Sequence, residues 1–273
     1  MNEIPDLFNN FAKWSGKLGI TREEESFLKL VALGQYSVHS YEWINLFKKL
    51  ECLHLLVLSG SQVQGLGNAL RFVGNFLTRG LAVKKALVLS HLFCCVFLGY
   101  YAIQTGANPP IVRATFYYFL ASGPWRFPLF VNLLGSLALH ILFFPHQFES
   151  RSFYLSWTAF LIIILVSKLN ISQLLSRILS TFLCLLILQF FFFSEKQYSM
   201  IYALFSNTLL ILLFDRYLQR PLSAILAAIM LGTFIPQELG DIFFDGLALF
   251  CAPFFRAIMT ILLVALGGIR YIG

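Results

Sequence analysis

The stretch TGANPPIVRA, residues 105–114, sets a single arginine just after two adjacent prolines inside an apolar chain. Asn108 is a residue type that caps helix N-termini, and Pro109 suits the first helical position. Pro110 still falls in the first turn, where no intrahelical N–H partner is lost. The spacing predicts a helix that starts here, with free N–H groups and a positive dipole end near Gly106–Asn108. Arg113 then lies one turn in, on the face of Pro109 and Tyr117. Anion binding is the chemistry such an arrangement supports. The same charge fits a salt bridge to a buried carboxylate, Asp245 or Asp215, or a side chain reaching a lipid headgroup.

A second polar group lies upstream in HLLVLSGSQVQGLGNALRF, residues 54–72. His54, Ser59, Ser61, Gln62, Gln64 and Asn68 interrupt an apolar run, and Gly60, Gly65 and Gly67 permit irregular or closely packed backbone. Irregular backbone at membrane depth is tolerated where it lines a water-filled cavity, as in the broken helices of transporters. The alternative is small-residue helix packing with polar side chains bonding across helices. Both readings stay open on the residues alone.

Signatures of enzymes are missing: no H-E-x-x-H, G-x-S-x-G or Walker A loop occurs. The histidines at 39, 54, 91, 140 and 146 are scattered. The acidic segment QELGDIFFDG, with Glu238, Asp241 and Asp245, reads as a solvated loop. Cys52, Cys94, Cys95, Cys184 and Cys251 form no C-x-x-C pair and read as small buried hydrophobes. The expectation is a protein without catalytic residues, metal or cofactor.

The elements that would position these groups follow from composition. The chain of 273 residues is 58% hydrophobic and 12% charged, with a mean hydropathy of +0.76. Soluble domains are about 25% charged. The apolar runs are continuous rather than alternating, which argues for helices and against a barrel. The fold class expected is all-α: a polytopic helical membrane protein with roughly seven to nine membrane elements, some broken or re-entrant. The surplus of positive charge, +7, is ordinary for a membrane protein with basic cytoplasmic loops.

Residues 1–50 stand apart as an amphipathic or interfacial segment, and residues 51–273 form the transmembrane domain. The first segment holds six acids (Glu3, Asp6, Glu23, Glu24, Glu25, Glu42) and six basic residues (Lys13, Lys17, Arg22, Lys29, Lys48, Lys49). It has no apolar region of a cleavable signal peptide. Thr21 followed by Glu24 is a capping-box pattern that predicts a helix over about 22–33, ended by Gly34. A second amphipathic helix is expected over about 40–50. Apolar runs then follow at roughly 53–77, 86–104, 109–122, 127–144, 153–167, 173–193, 199–214, 221–235 and 243–266. The run at 109–122 is too short to cross a bilayer alone, which takes about 20 residues.

If the loop with Arg79, Lys84 and Lys85 is cytoplasmic and each later element crosses, Arg126, Lys168, Arg216, Arg220 and Arg270 share that side. Arg151 and Lys196 fall opposite, with Glu238 and Asp241, which agrees with the positive-inside rule.

Taken in order from about residue 28 to 265, these segments resemble the membrane domain of ComEC-type competence proteins. Leu33-Gly34 followed by CLHLLVLSGSQV is similar to the family's opening element, with His54, Leu55, Leu56, Ser59, Gly60 and Val63 matching. Glu51 and Gln62 replace a glycine and a histidine of that pattern. Thr105, Gly106, Ala107, Pro109 or Pro110, Arg113 and Ala114 satisfy the second element. Asn132, Pro145, Phe153, Leu155 and Ser156 match a third, with Ser152 and Tyr154 replacing a glycine and a glutamine, and Asn207 fits a late asparagine within a span.

The resemblance implies a multi-pass protein of the bacterial inner membrane that passes single-stranded DNA during natural transformation. Arg113, Asn108, Thr105 and Gly106 would offer phosphate oxygens a positive site. His54, Ser59, Gly60, Ser61 and Gln62 would line a polar, partly unwound backbone, with Asn132, Ser156 and Asn207 completing the path. Family members commonly carry an OB-like and a metallo-β-lactamase-like domain, and this chain is expected to hold neither. The resemblance therefore implies a separate nuclease and a helicase or other motor as partners, besides DNA and the lipid bilayer. The other classes open are a transporter or export component for a small anion, a divergent paralogue that does not transport, and a structural or assembly protein.

Overall fold

A computed structural model describes residues 7–49, 60–125, 127–169, 171–192, 218–234 and 237–270. Among these residues the chain is helical and contains no strand. Eleven α-helices follow one another: α1 (Leu7–Gly16), α2 (Arg22–Leu33), α3 (Tyr41–Lys49), α4 (Gly60–Leu77), α5 (Val83–Gln104), α6 (Pro109–Ala121), α7 (Leu129–Phe143), α8 (Arg151–Ser167), α9 (Gln173–Phe192), α10 (Arg220–Gly232) and α11 (Gln237–Arg270). Short 3₁₀ turns occupy Val38–Ser40 and Pro145–Glu149.

The local signals in the N-terminal segment are realised. Thr21 caps α2 by accepting from the Glu24 N–H, and the Glu24 carboxylate accepts from the Thr21 N–H at 2.8 Å. Gly34 ends the helix in the left-handed region. These helices are amphipathic, as expected, but their apolar face is sealed within the protein rather than left at an interface. Leu7, Phe11, Trp14 and Leu18 are fully buried, as are Phe27, Leu28 and Val31. Trp14 meets Phe255 of α11 edge-on at 5.6 Å, and Lys17 pairs with Asp245 of α11. The acidic segment around Asp241 and Asp245 is the start of α11 rather than a loop. Carboxylates in the first turns of a helix are favoured by its dipole.

Two carbonyls at the end of α2 have no intrahelical donor. The Gln62 amide of α4 donates to Val31 O, and the Tyr101 hydroxyl of α5 donates to Ala32 O at 2.7 Å, both buried. The N-terminal helices are thus tied to the two helices that follow them. Together with α10, α11 and the inner face of α6, they form one continuous apolar core.

The second layer is α7 and α8, built against the other face of α6, with α9 packed on α8. Here the usual order of burial is reversed. The buried residues of α7 are Asn132, Ser136 and His140, spaced four apart on one face. Phe130, Leu134, Leu142 and Phe143 of the same helix are exposed. α5 of the first layer buries a mixed face, Ser90 and His91 with Cys94, Leu98 and Tyr101, while Val83, Leu87, Val96 and Ile103 are exposed. Among the described residues one helix, α5 at 22 residues, is long and apolar enough to cross a membrane; α7, α8 and α10 are apolar but shorter.

The tie between α2 and α5 can be measured. Tyr101→Phe strands the Ala32 carbonyl in a buried site and should cost about 1–3 kcal/mol. Thermal unfolding of the purified variant should show a lower midpoint; an unchanged midpoint would contradict the anchoring role.

Candidate functional site

The turn between α5 and α6 fixes where the second layer begins. The end of α5 forms a Schellman arrangement around Gly106, whose φ is 75°. The Gly106 N–H donates to Ile103 O at 3.0 Å and the Ala107 N–H to Ala102 O at 2.7 Å. Thr105 is buried, and its hydroxyl donates to Tyr101 O at 2.8 Å. Ala107 also lies in the left-handed region, at φ 49°, the one such non-glycine residue among those described. That conformation costs an alanine roughly 1–2 kcal/mol, so something must hold it.

What holds it is a relay of side chains from three elements. The Trp157 indole N–H of α8 donates to His140 Nδ1 at 3.3 Å. His140 Nε2–H donates to Gln147 Oε1 at 2.9 Å, and Gln147 Nε2 donates to Ala107 O at 2.6 Å. An indole N–H and an amide NH₂ can only donate. The imidazole is therefore the neutral Nε2–H tautomer, and every bond in the chain has one direction. His140 is fully buried in this relay, edge-on to Phe153 at 4.9 Å.

Asn108 occupies the N-cap position of α6 and Pro109 the first helical position, as the spacing predicts. The free N–H groups expected there are absent. Both prolines lack a donor, and the Ile111 and Val112 N–H groups donate to Asn108 O. The Asn108 side chain makes no cap bond and donates back to Thr105 O at 3.0 Å. This end of α6 has spent its donors on the turn, so a backbone anion cradle at Gly106–Asn108 does not form.

Arg113 carries the positive charge elsewhere. Its side chain is only 8% exposed and points to the junction of α4, α6 and α8. Nη1 donates to Ser156 O at 2.9 Å, and the guanidinium carbon sits 4.4 Å from the centre of the Phe160 ring. Nη2 approaches α4 so closely that a Cβ on Gly60 would lie 2.8 Å from it. Nε and the Ser156 hydroxyl are buried without a hydrogen-bond partner.

No carboxylate answers this cation among the described residues. Asp245 is engaged by Lys17, the other described pair is Lys29 with Glu25, and Asp215 lies outside the described residues. The reason is partly in the sequence itself. Residues 52–148 contain Arg71, Arg79, Lys84, Lys85, Arg113 and Arg126 and not one Asp or Glu. A charge-assisted hydrogen bond offsets about 1.5–3 kcal/mol, and a desolvated cation–π contact about 2. Removing the ion from water costs several kcal/mol. An arriving anion adds attraction without further desolvation of the guanidinium.

The remaining sequence-derived residues divide. Gly60 and Ser156 join Arg113. Gly60, Ser61 and Gln62 lie in regular helix, so the partly unwound backbone expected for this stretch is not found over residues 60–62. Gly67 packs in the same manner, against Tyr118, whose hydroxyl donates to Gly67 O at 3.0 Å. Over 60–77 the glycines therefore serve close packing. Asn132 is buried near the other end of α6, where its amide donates to Phe127 O at 3.2 Å. His54, Ser59 and Asn207 lie outside the described residues. The sequence reading missed His140, Gln147, Trp157 and Phe160. The polar stripe of Asn132, Ser136 and His140 on an apolar helix was the available signal.

A double-mutant cycle tests the contact between α4 and Arg113. Gly60→Ala should destabilise by about 1–3 kcal/mol through overpacking. Arg113→Met should relieve that clash, leaving the two changes coupled by at least about 0.5 kcal/mol. Additive unfolding energies would contradict the close approach.

No curated protein and no solved structure matches the chain. A family model described as Competence protein matches residues 31–270, a range that contains Gly60, the α5–α6 turn, Arg113 and Ser156. The chain belongs to the Competence protein family, the family of the ComEC membrane channel domain.

Proposed function

We propose that this protein is a multi-pass domain of the bacterial inner membrane that passes single-stranded DNA during natural transformation, and that Arg113 contacts the phosphate backbone. Membership of the competence family supports a role in DNA uptake. The observation that carries the site is the Arg113 guanidinium, buried at a three-helix junction with an unpartnered Nε and, among the described residues, no carboxylate. Intramembrane cations are rare and face a cavity or a partner. A phosphodiester fits the guanidinium's fork and is present in every nucleotide, so contact is independent of sequence. Phe160 lies against the cation and Tyr117 stands edge-on to Phe160 at 4.7 Å; both rings are partly exposed and offer faces for base stacking.

The inside-out burial of α7 and the exposed apolar face of α5 support placement in a bilayer. Exposed Leu, Val and Phe suit lipid, and the polar stripe faces inward. Helix α6 has 13 residues, roughly 20 Å of rise, against a hydrocarbon core of about 30 Å. It suits a half-membrane element with its start at the buried turn. In this reading the protein performs no chemistry on the strand. A separate nuclease and a motor supply degradation and energy.

Uptake of labelled DNA by cells carrying Arg113→Ala should fall roughly ten- to hundredfold, the equivalent of one charged hydrogen bond. Membrane abundance, followed by immunoblot, should stay near that of the parent. Arg113→Lys should keep part of the activity, since it retains the charge and loses the planar fork. Normal uptake by the alanine variant would refute the phosphate role. Loss of abundance in step with uptake would favour a structural arginine, and flux of a small anion in proteoliposomes without DNA would favour an anion transporter.

A further inference from the structure

The relay of Trp157, His140 and Gln147 does not touch Arg113, yet it begins one residue from the Arg113 acceptor and ends at the turn that starts the Arg113 helix. Ser156 accepts from Arg113, and its neighbour Trp157 donates into the relay. At the other end, Gln147 holds the carbonyl of Ala107, the left-handed residue directly before Asn108 and the two prolines. The direction of each bond is fixed, so the relay cannot slip into an alternative pattern without leaving a buried donor unmet.

We propose that His140 and Gln147 are positioning residues: they lock the Thr105–Asn108 turn in its left-handed form and so set α6, and with it Arg113, against α4 and α8. Two features of the turn require a lock here. Ala107 disfavours its conformation on steric grounds, where a glycine would not. The prolines at 109 and 110 leave α6 without donors of its own to grip the turn beyond the two bonds to Asn108 O. The relay thus couples both ends of the Arg113 site through α8. Its consequence for strand passage rests on the function proposed above; its effect on the turn does not.

The test reads the two separately. In Gln147→Leu, hydrogen exchange of peptides covering residues 105–116 should be about fivefold to tenfold faster, the loss of one buried hydrogen bond. Uptake of labelled DNA should fall several-fold at equal membrane abundance. Adding Ala107→Gly should restore most of both, because glycine takes the left-handed conformation without the lock. A role confined to general folding predicts no rescue by that glycine. If Gln147→Leu is poorly produced, Trp157→Phe removes only the first donor and should accelerate exchange of the same peptides. Unchanged exchange at 105–116, or a loss that Ala107→Gly leaves untouched, overturns the proposal. Altered and rescued exchange with unaltered uptake upholds the positioning role and counts against the DNA reading.

Discussion

A guanidinium removed from water must find charge and acceptors or it destabilises the fold that buries it. Arg113 finds one carbonyl and one aromatic face. Everything near it is arranged around that partial settlement. α4 presents a glycine where any side chain would collide, α8 presents the Ser156 carbonyl as an acceptor, and α6 begins at a turn held from outside itself. The long acid-free stretch of residues 52–148 denies the cation an internal counter-charge from any of helices α4 to α7.

The two layers divide the work. The N-terminal helices, α4, α5, α10 and α11 form the apolar core and fix the inner face of α6. Helices α7 and α8 close over its outer face, α7 with polar side chains turned inward and α8 with Phe153, Ser156 and Trp157. α6 is the shared wall: Ile111 and Tyr118 look to the first layer, and Arg113 to the second. A short helix braced on both faces holds a long charged side chain in one place better than a loop does.

Much of this was legible from residue order. Helix boundaries followed apolar runs, and the Thr21 capping box and Gly34 stop are local rules read directly. Residue type alone singles out Arg113 and Gly60. Their mutual contact was not legible, since about fifty residues separate them and only tertiary packing brings them together. The reading of Asn108 as the head of an anion cradle failed for a physical reason: the prolines that start a helix so well also remove its donors. The acidic cluster at 238–245 seemed a loop by composition, yet its Asp245 meets Lys17 more than two hundred residues away. His140 was overlooked because a lone histidine in an apolar run carries no information until its two ring partners are known.

The central claim is that Arg113 is a buried cation kept for an anionic strand. The most direct measurement is thermal unfolding of the purified protein with and without a short oligothymidylate, in the parent and in Arg113→Gln. A ligand that binds only the folded state raises the midpoint by mass action. The account predicts that the oligonucleotide stabilises the parent and that most of this shift disappears in Arg113→Gln. An equal shift in both proteins, or none in the parent, would contradict it.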